Sequence, residues 1–303
     1  MIFHALCYKM AIDPRIAFPY LSFSMPWFFY KSGMFFSTKN QKELFYKDKN
    51  KYIKQYIIWV IIGLIIWYLA LAINHSISFR NLFYTPARRL FLTGSTFENN
   101  AMWFLLSLFI TRELSNVLLK KFHPIVIMIA GYTLGILTHI FEFDLLPYWF
   151  RNIGPGICFF SAGYFLHKYE SNKIVLTCSM LVYILLAIME FPIVALMDNR
   201  LIQGNYYLWM PCAICCIVAF NNFCRILQKI LTKVWNISFE FFHYISEGAM
   251  VFYAAHMAII TLVINVSGSL CPIILNHPLI SILIGYILLL PLINKVYKVY
   301  GNI

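Results

Sequence analysis

Residues 55–73 read QYIIWVIIGLIIWYLALAI, nineteen consecutive positions without a charged side chain. Coiled as an α-helix at 1.5 Å per residue, such a run rises roughly 29 Å, the thickness of a bilayer's hydrocarbon core. Period-two alternation is absent, and the run is about twice the length of a membrane-barrel strand. It therefore predicts a spanning helix. Working outward, further apolar blocks lie at 1–12, 19–37, 100–119, 124–142, 152–167, 173–197, 206–224, 247–266 and 278–294, with polar stretches between them. Ten such helices use roughly 200 residues and leave about a third of a 303-residue chain for connections. The fold class this predicts is all-α: a polytopic membrane helix bundle of about ten transmembrane helices, forming a single domain over 1–303 with no room for a soluble one.

Composition agrees. Hydrophobic residues make up 61% of the chain and charged residues 12%, about half the share of charge in a soluble domain. A soluble fold could not cover that much apolar surface with so few charges, which excludes an ordinary globular enzyme, a disordered chain and a collagen-like fibre. The formal charge of +12 does not point to nucleic acid, because the cations are scattered between apolar blocks and form no single face.

The same cations assign sidedness. With the start of the chain inside, the inward connections are 38–54, 112–123, 167–173, 225–246 and the tail after 294. They carry sixteen of the 24 Lys and Arg, against seven in the outward connections and Lys31 inside a block. The alternation follows the positive-inside rule and predicts both termini in the cytoplasm. Block 1–12 rises only ~18 Å, which is short of a span. It has no charged n-region and no small-residue cleavage site. It is expected to be the tail of a truncated first helix, with a short re-entrant helix as the alternative.

Ionisable groups inside lipid are costly and mark function by default. His4 lies ~12 Å from the outer end of its block, His256 ~13 Å from the inner end of its own, and Lys31 ~18 Å below the outer end of block 19–37, all near mid-bilayer. Tyr253 stands three residues before His256, on the same helix face, placed to orient the imidazole. Each has a plainer reading. A lone helical histidine is often a hydrogen-bonded packing residue, and the long stem of Lys31 lets it snorkel inward. His139 reads as an interface residue, and Arg112 and Glu113 as a pair or as snorkelling groups. Cys212, Cys215 and Cys216 read as small packing residues, with no partner pair at metal-ligand spacing. Neither HExxH, GxGxxG, a P-loop nor GxSxG occurs, and no internal repeat is visible.

Five stretches, in order, resemble the acyltransferase 3 family of integral membrane proteins. Residues 23–36, FSMPWFFYKSGMFF, resemble that family's M-P-x-F-F-x-x-S-G-x-x-F second helix. Residues 102–109, MWFLLSLF, resemble its W-F-L-x-x-L-F helix start, and 159–166, FFSAGYFL, its F-F-x-x-G-Y-x-L block. Residues 245–256, ISEGAMVFYAAH, resemble its S-L-x-I-Y-x-x-H stretch, with Gly248, Ala249 and Met250 where Ser-Leu is usual. Ile2, Phe3 and His4 fit the tail of the first helix, where the family places its principal histidine.

The resemblance implies a bacterial plasma-membrane enzyme that moves acetyl or another short acyl group onto hydroxyls of sugars and surface polysaccharides. Acetyl-CoA or another acyl-CoA would be the co-substrate, with no permanently bound cofactor and no metal. The partners it implies are membrane lipid, acyl-CoA and a carbohydrate acceptor, without nucleic acid. Acyl transfer needs a base for the hydroxyl proton and a donor for the developing oxyanion. His4 is the expected base, with His256 as second base, proton relay or oxyanion donor. Lys31, Tyr253, Trp103 and Arg151 are the expected substrate contacts, and Lys39 to Lys54 could meet the nucleotide phosphates or simply orient the chain. Two other functions fit the same polar residues: a transporter or flippase for a polysaccharide intermediate, and an inactive, truncated family member.

Overall fold

The computed structural model describes residues 24–73, 77–96, 99, 101–141, 146–188, 194–195, 197, 202–203 and 206–235. His4, Tyr253 and His256, and the blocks 1–12, 247–266 and 278–294, lie outside the described residues. Helices form almost everything described: α1 (Ser24–Met34), α2 (Gln41–Asp48), a π-turn (Lys49–Ile53), α3 (Lys54–Ile73), a second π-turn (Arg80–Tyr84) and α4 (Thr85–Thr93). Then come α5 (Trp103–Leu119), α6 (Pro124–Ile140), the single turn α7 (Tyr148–Arg151), α8 (Ile153–Leu166), α9 (Lys173–Ile188) and α10 (Tyr206–Trp235). Two of them, Gln41–Leu69 and Tyr206–Thr232, are long and apolar enough to cross a membrane.

Three boundaries depart from the sequence expectation. In block 173–197 the described helix is Lys173–Ile188, and Val194–Ala195 pairs antiparallel with Ile202–Gln203, Val194 opposite Gln203. Connection 38–54 is helical, entered through the Asn40 side chain, which accepts from the Lys42 N–H. Helix α10 continues eleven residues past its apolar block, and Arg225, the first of them, meets a buried carboxylate.

The chain divides into two compact units. The first comprises 1–13, 50–106 and 239–303. In its described part, α3 presents Ile57, Ile61, Ile65 and Leu69 as an exposed stripe four residues apart. Helix α4 ends on Gly94 at φ 67°, a left-handed cap that only glycine adopts without penalty, and the Gly94 N–H donates to the Leu90 carbonyl. The Ser95 hydroxyl then accepts from the Trp103 N–H and starts α5.

The second unit comprises 14–49 and 107–238. Its centre is α8, buried at every position from Ile153 to Gly163 and packed against α1 on one side and α6 on the other. Glycine permits both contacts. A Cβ on Gly33 of α1 would strike the Phe160 carbonyl, and a Cβ on Gly163 would strike the Tyr30 carbonyl. On the other side Gly131 and Gly135, one turn apart on α6, lie against Gly154, Pro155 and Cys158. Helices in lipid associate through such small residues because apolar burial there drives little. Helix α9 packs on α10.

Candidate functional site

Two buried carboxylates organise the polar part of the second unit. Glu170, in the turn between α8 and α9, is fully buried. It accepts from the Tyr30 hydroxyl at 2.8 Å, the Asn221 amide at 2.9 Å and the Arg225 guanidinium at 2.5 Å. Asn221 in turn accepts from the Trp27 indole at 2.9 Å, and Asn222 donates to the Glu170 carbonyl at 3.1 Å. Asp48, at the end of α2, is also fully buried. Arg112 meets it with Nε at 2.6 Å and a terminal nitrogen at 3.2 Å, and donates with the other to Ser32 at 2.8 Å. The guanidinium also lies 5.1 Å from the Phe36 ring centroid. Beside this cluster the Asn116 amide donates to the Lys39 carbonyl and to Gln41, and Gln41 donates to Glu113. The hydrogen-bonded partner of Arg112 is thus Asp48, and that of Glu113 is Gln41. Tyr30 and Ser32, two residues apart on α1, join the two clusters to one helix.

Lys31 stands between them, half-buried, its Nζ 5.7 Å from the Trp27 ring, 5.9 Å from the Phe35 ring and 3.6 Å from the Met34 sulfur. It lies within electrostatic reach of Glu170 and Arg225. An ammonium has three donors, and a thioether is a weak acceptor, so the group is equipped to hold a carbonyl oxygen. Arg151, buried at the end of α7, lies at the opposite end of α8 from Lys31. Lys31 follows Tyr30, which abuts Gly163, and the nine residues from Arg151 to Phe160 rise about 14 Å. The structure therefore does not bring Lys31 and Arg151 to one point. Trp103 belongs to the first unit, is buried, and meets Phe104 edge-to-face at 6.1 Å.

At the Arg151 end, Ser107 donates to the Trp149 carbonyl at 2.9 Å, and His139 stacks on Tyr206 with ring centroids 4.2 Å apart. An open crevice of about 260 Å³ lies nearby, lined by Ile110, Leu134, Trp149 and Ile153 among others. Asn152 is fully buried, and neither atom of its amide has a hydrogen-bond partner. Among the described residues no group of His, Cys, Asp and Glu is placed to hold a metal ion.

Segments that the charge count assigns to one side meet one another. The inward 38–48 meets 112–116, and the inward 170 meets 225. The outer end of block 124–142 meets the outer start of block 206–224. Sequence reading missed Glu170, Asp48, Asn221 and Arg225 as a site. A single acid in a six-residue polar turn looks like a solvated loop, and the available signal was Asn221, Asn222 and Arg225, three polar residues on one helix face at the end of an apolar block. Searches against family models, curated proteins and solved structures find no match to the chain.

Proposed function

We propose that the chain is a polytopic O-acyltransferase of about ten transmembrane helices, with both termini cytoplasmic in a bacterial plasma membrane. It moves an acyl group, most simply acetyl, from cytosolic acyl-CoA to a hydroxyl of a sugar or surface-polysaccharide precursor. The observation that carries this is the direct packing of two motif stretches: Gly33 of the second-helix motif lies against Phe160, and Gly163 of the F-F-x-x-G-Y stretch against Tyr30. Both motifs are thereby accounted for as one helix pair, with Lys31 beside the seam. The contacts agree with the alternation of the connections between two sides, and the excess of Lys and Arg on one of those sides carries the orientation.

In the mechanism, neutral His4 takes the acceptor's hydroxyl proton as its oxygen attacks the thioester carbonyl. His256, oriented by Tyr253, relays that proton or donates to the oxyanion. Collapse of the tetrahedral intermediate breaks the C–S bond, and the CoA thiolate takes the proton that the histidines hold and leaves as the thiol. Lys31 polarises the carbonyl from the inward side, and Trp103 and Arg151 contact the acceptor, Arg151 from the outward side. General-base assistance of this kind contributes about 10²–10⁴-fold.

Membrane vesicles supplied with labelled acetyl-CoA and a saccharide acceptor test this. The label should reach the acceptor, and His4→Ala or His256→Ala should stop it. Acceptor accumulation without CoA consumption would instead identify a transporter.

A further inference from the structure

Three of the seven cations in the outward connections, Arg80, Arg88 and Arg89, fall within ten residues of sequence, against the general bias. They lie in the helical stretch from the second π-turn through α4, Arg80 to Thr93. This stretch folds back beside the end of α3: the Trp67 indole donates to the Asn81 carbonyl at 3.3 Å and the Tyr68 hydroxyl to the Leu82 carbonyl at 2.9 Å. Those bonds hold it at the level of the last turns of an apolar helix long enough to cross a membrane. Its two faces differ sharply. Pro86 and Thr93 are buried, whereas Phe79, Arg80, Phe83, Tyr84, Ala87 and Arg88 form one exposed face, with Phe79 79% and Phe83 61% exposed. Their spacing of four and then four again is that of a single helix face. The Phe79 and Phe83 rings lean on each other at 5.2 Å.

We propose that this face is a docking surface for anionic phospholipid in the outer leaflet. The aromatic rings enter the headgroup–acyl boundary, and Arg80 and Arg88 hold lipid phosphates. Lipid is the occupant because Trp67 and Tyr68 tie the stretch to the end of α3, where Ile61, Ile65 and Leu69 are exposed, and because mixed Arg and aromatic residues on a short amphipathic helix suit that boundary. An arginine fork matches a phosphate bidentately, which a neutral face could not do. The leaflet rests on the proposed orientation, but the lipid contact requires only a membrane and not acyl transfer, so it stands or falls separately from the proposed activity.

The test places a photoreactive benzoylphenylalanine at Phe83, and as a control at buried Thr93, in the full chain. Each protein is reconstituted in phosphatidylcholine vesicles containing 20% phosphatidylglycerol and irradiated, and adduct masses are read. The expected result is lipid adducts at 83 and few at 93, with phosphatidylglycerol at least two-fold over its share of the bilayer. Arg80→Gln with Arg88→Gln should return that ratio to parity while adducts persist. Adducts to protein, or none above the control, overturn the docking surface. Lipid adducts in bilayer proportion overturn its selectivity for anionic headgroups.

Discussion

Arg225 reaches the buried carboxylate of Glu170 at 2.5 Å, and in doing so ties α10 to the turn that leaves α8. Tyr30 and Asn221 converge on the same carboxylate, from 140 residues before it and 51 residues after it, so one acid ties three distant segments.

Removing that acid should be expensive. In Glu170→Ala the Tyr30 hydroxyl and Asn221 amide lose their acceptor, while Arg225, whose side chain is 37% exposed, is partly rescued by water. A loss on the order of 2–4 kcal/mol is expected. Glu170→Gln, which keeps an acceptor oxygen, should cost less. Thermal unfolding in detergent measures both, and equal midpoints for all three proteins would contradict the network.

Arg112→Lys tests geometry at constant charge. A lysine can replace one of the three bonds to Asp48 and Ser32 but not the fork. Destabilisation of roughly 1–3 kcal/mol is expected, since Asp48 is fully buried and keeps fewer donors.

Gly163→Ala should destabilise by about 1–3 kcal/mol or more, because its Cβ meets backbone that has no rotamer to yield. Gly94→Ala, opposed only by its φ of 67°, should cost about 1–2 kcal/mol. A larger effect at 94 than at 163 in the same unfolding assay would mean that the α1–α8 seam is looser than described.

Asn152→Leu should behave in the opposite sense. A buried amide with no partner costs about 1–3 kcal/mol, so an apolar side chain of similar size should leave stability unchanged or raised. If transfer falls while stability rises, Asn152 is retained for a ligand.

Much of the fold was legible from composition alone. The apolar blocks at 55–73, 100–119, 124–142 and 152–167 coincide with helices to within a few residues. Ends were less legible. The apolar block was read as 206–224, yet α10 continues to Trp235, with Ile226, Leu227, Ile230 and Leu231 keeping the helical spacing between polar residues. Partner choice was illegible: Arg112 stands next to Glu113 in sequence and binds Asp48, sixty-four positions away. Lys31 was singled out by its cost in lipid, with snorkelling as the plainer reading, and its aromatic neighbours Trp27 and Phe35 are one helical turn from it on either side, which sequence spacing allowed. For His4, Tyr253 and His256 the sequence is the sole source, as they lie outside the described residues.

Arg112 and Arg225 have a double history if the proposed orientation holds. While the nascent chain enters the bilayer neither carboxylate has been met, and both guanidiniums count among the charges that keep their loops from crossing. Once the bundle assembles, the same two cations are paired with Asp48 and Glu170. An arginine substitution therefore removes a loop charge and also strands a buried carboxylate, so assembly suffers even where the remaining lysines orient the chain.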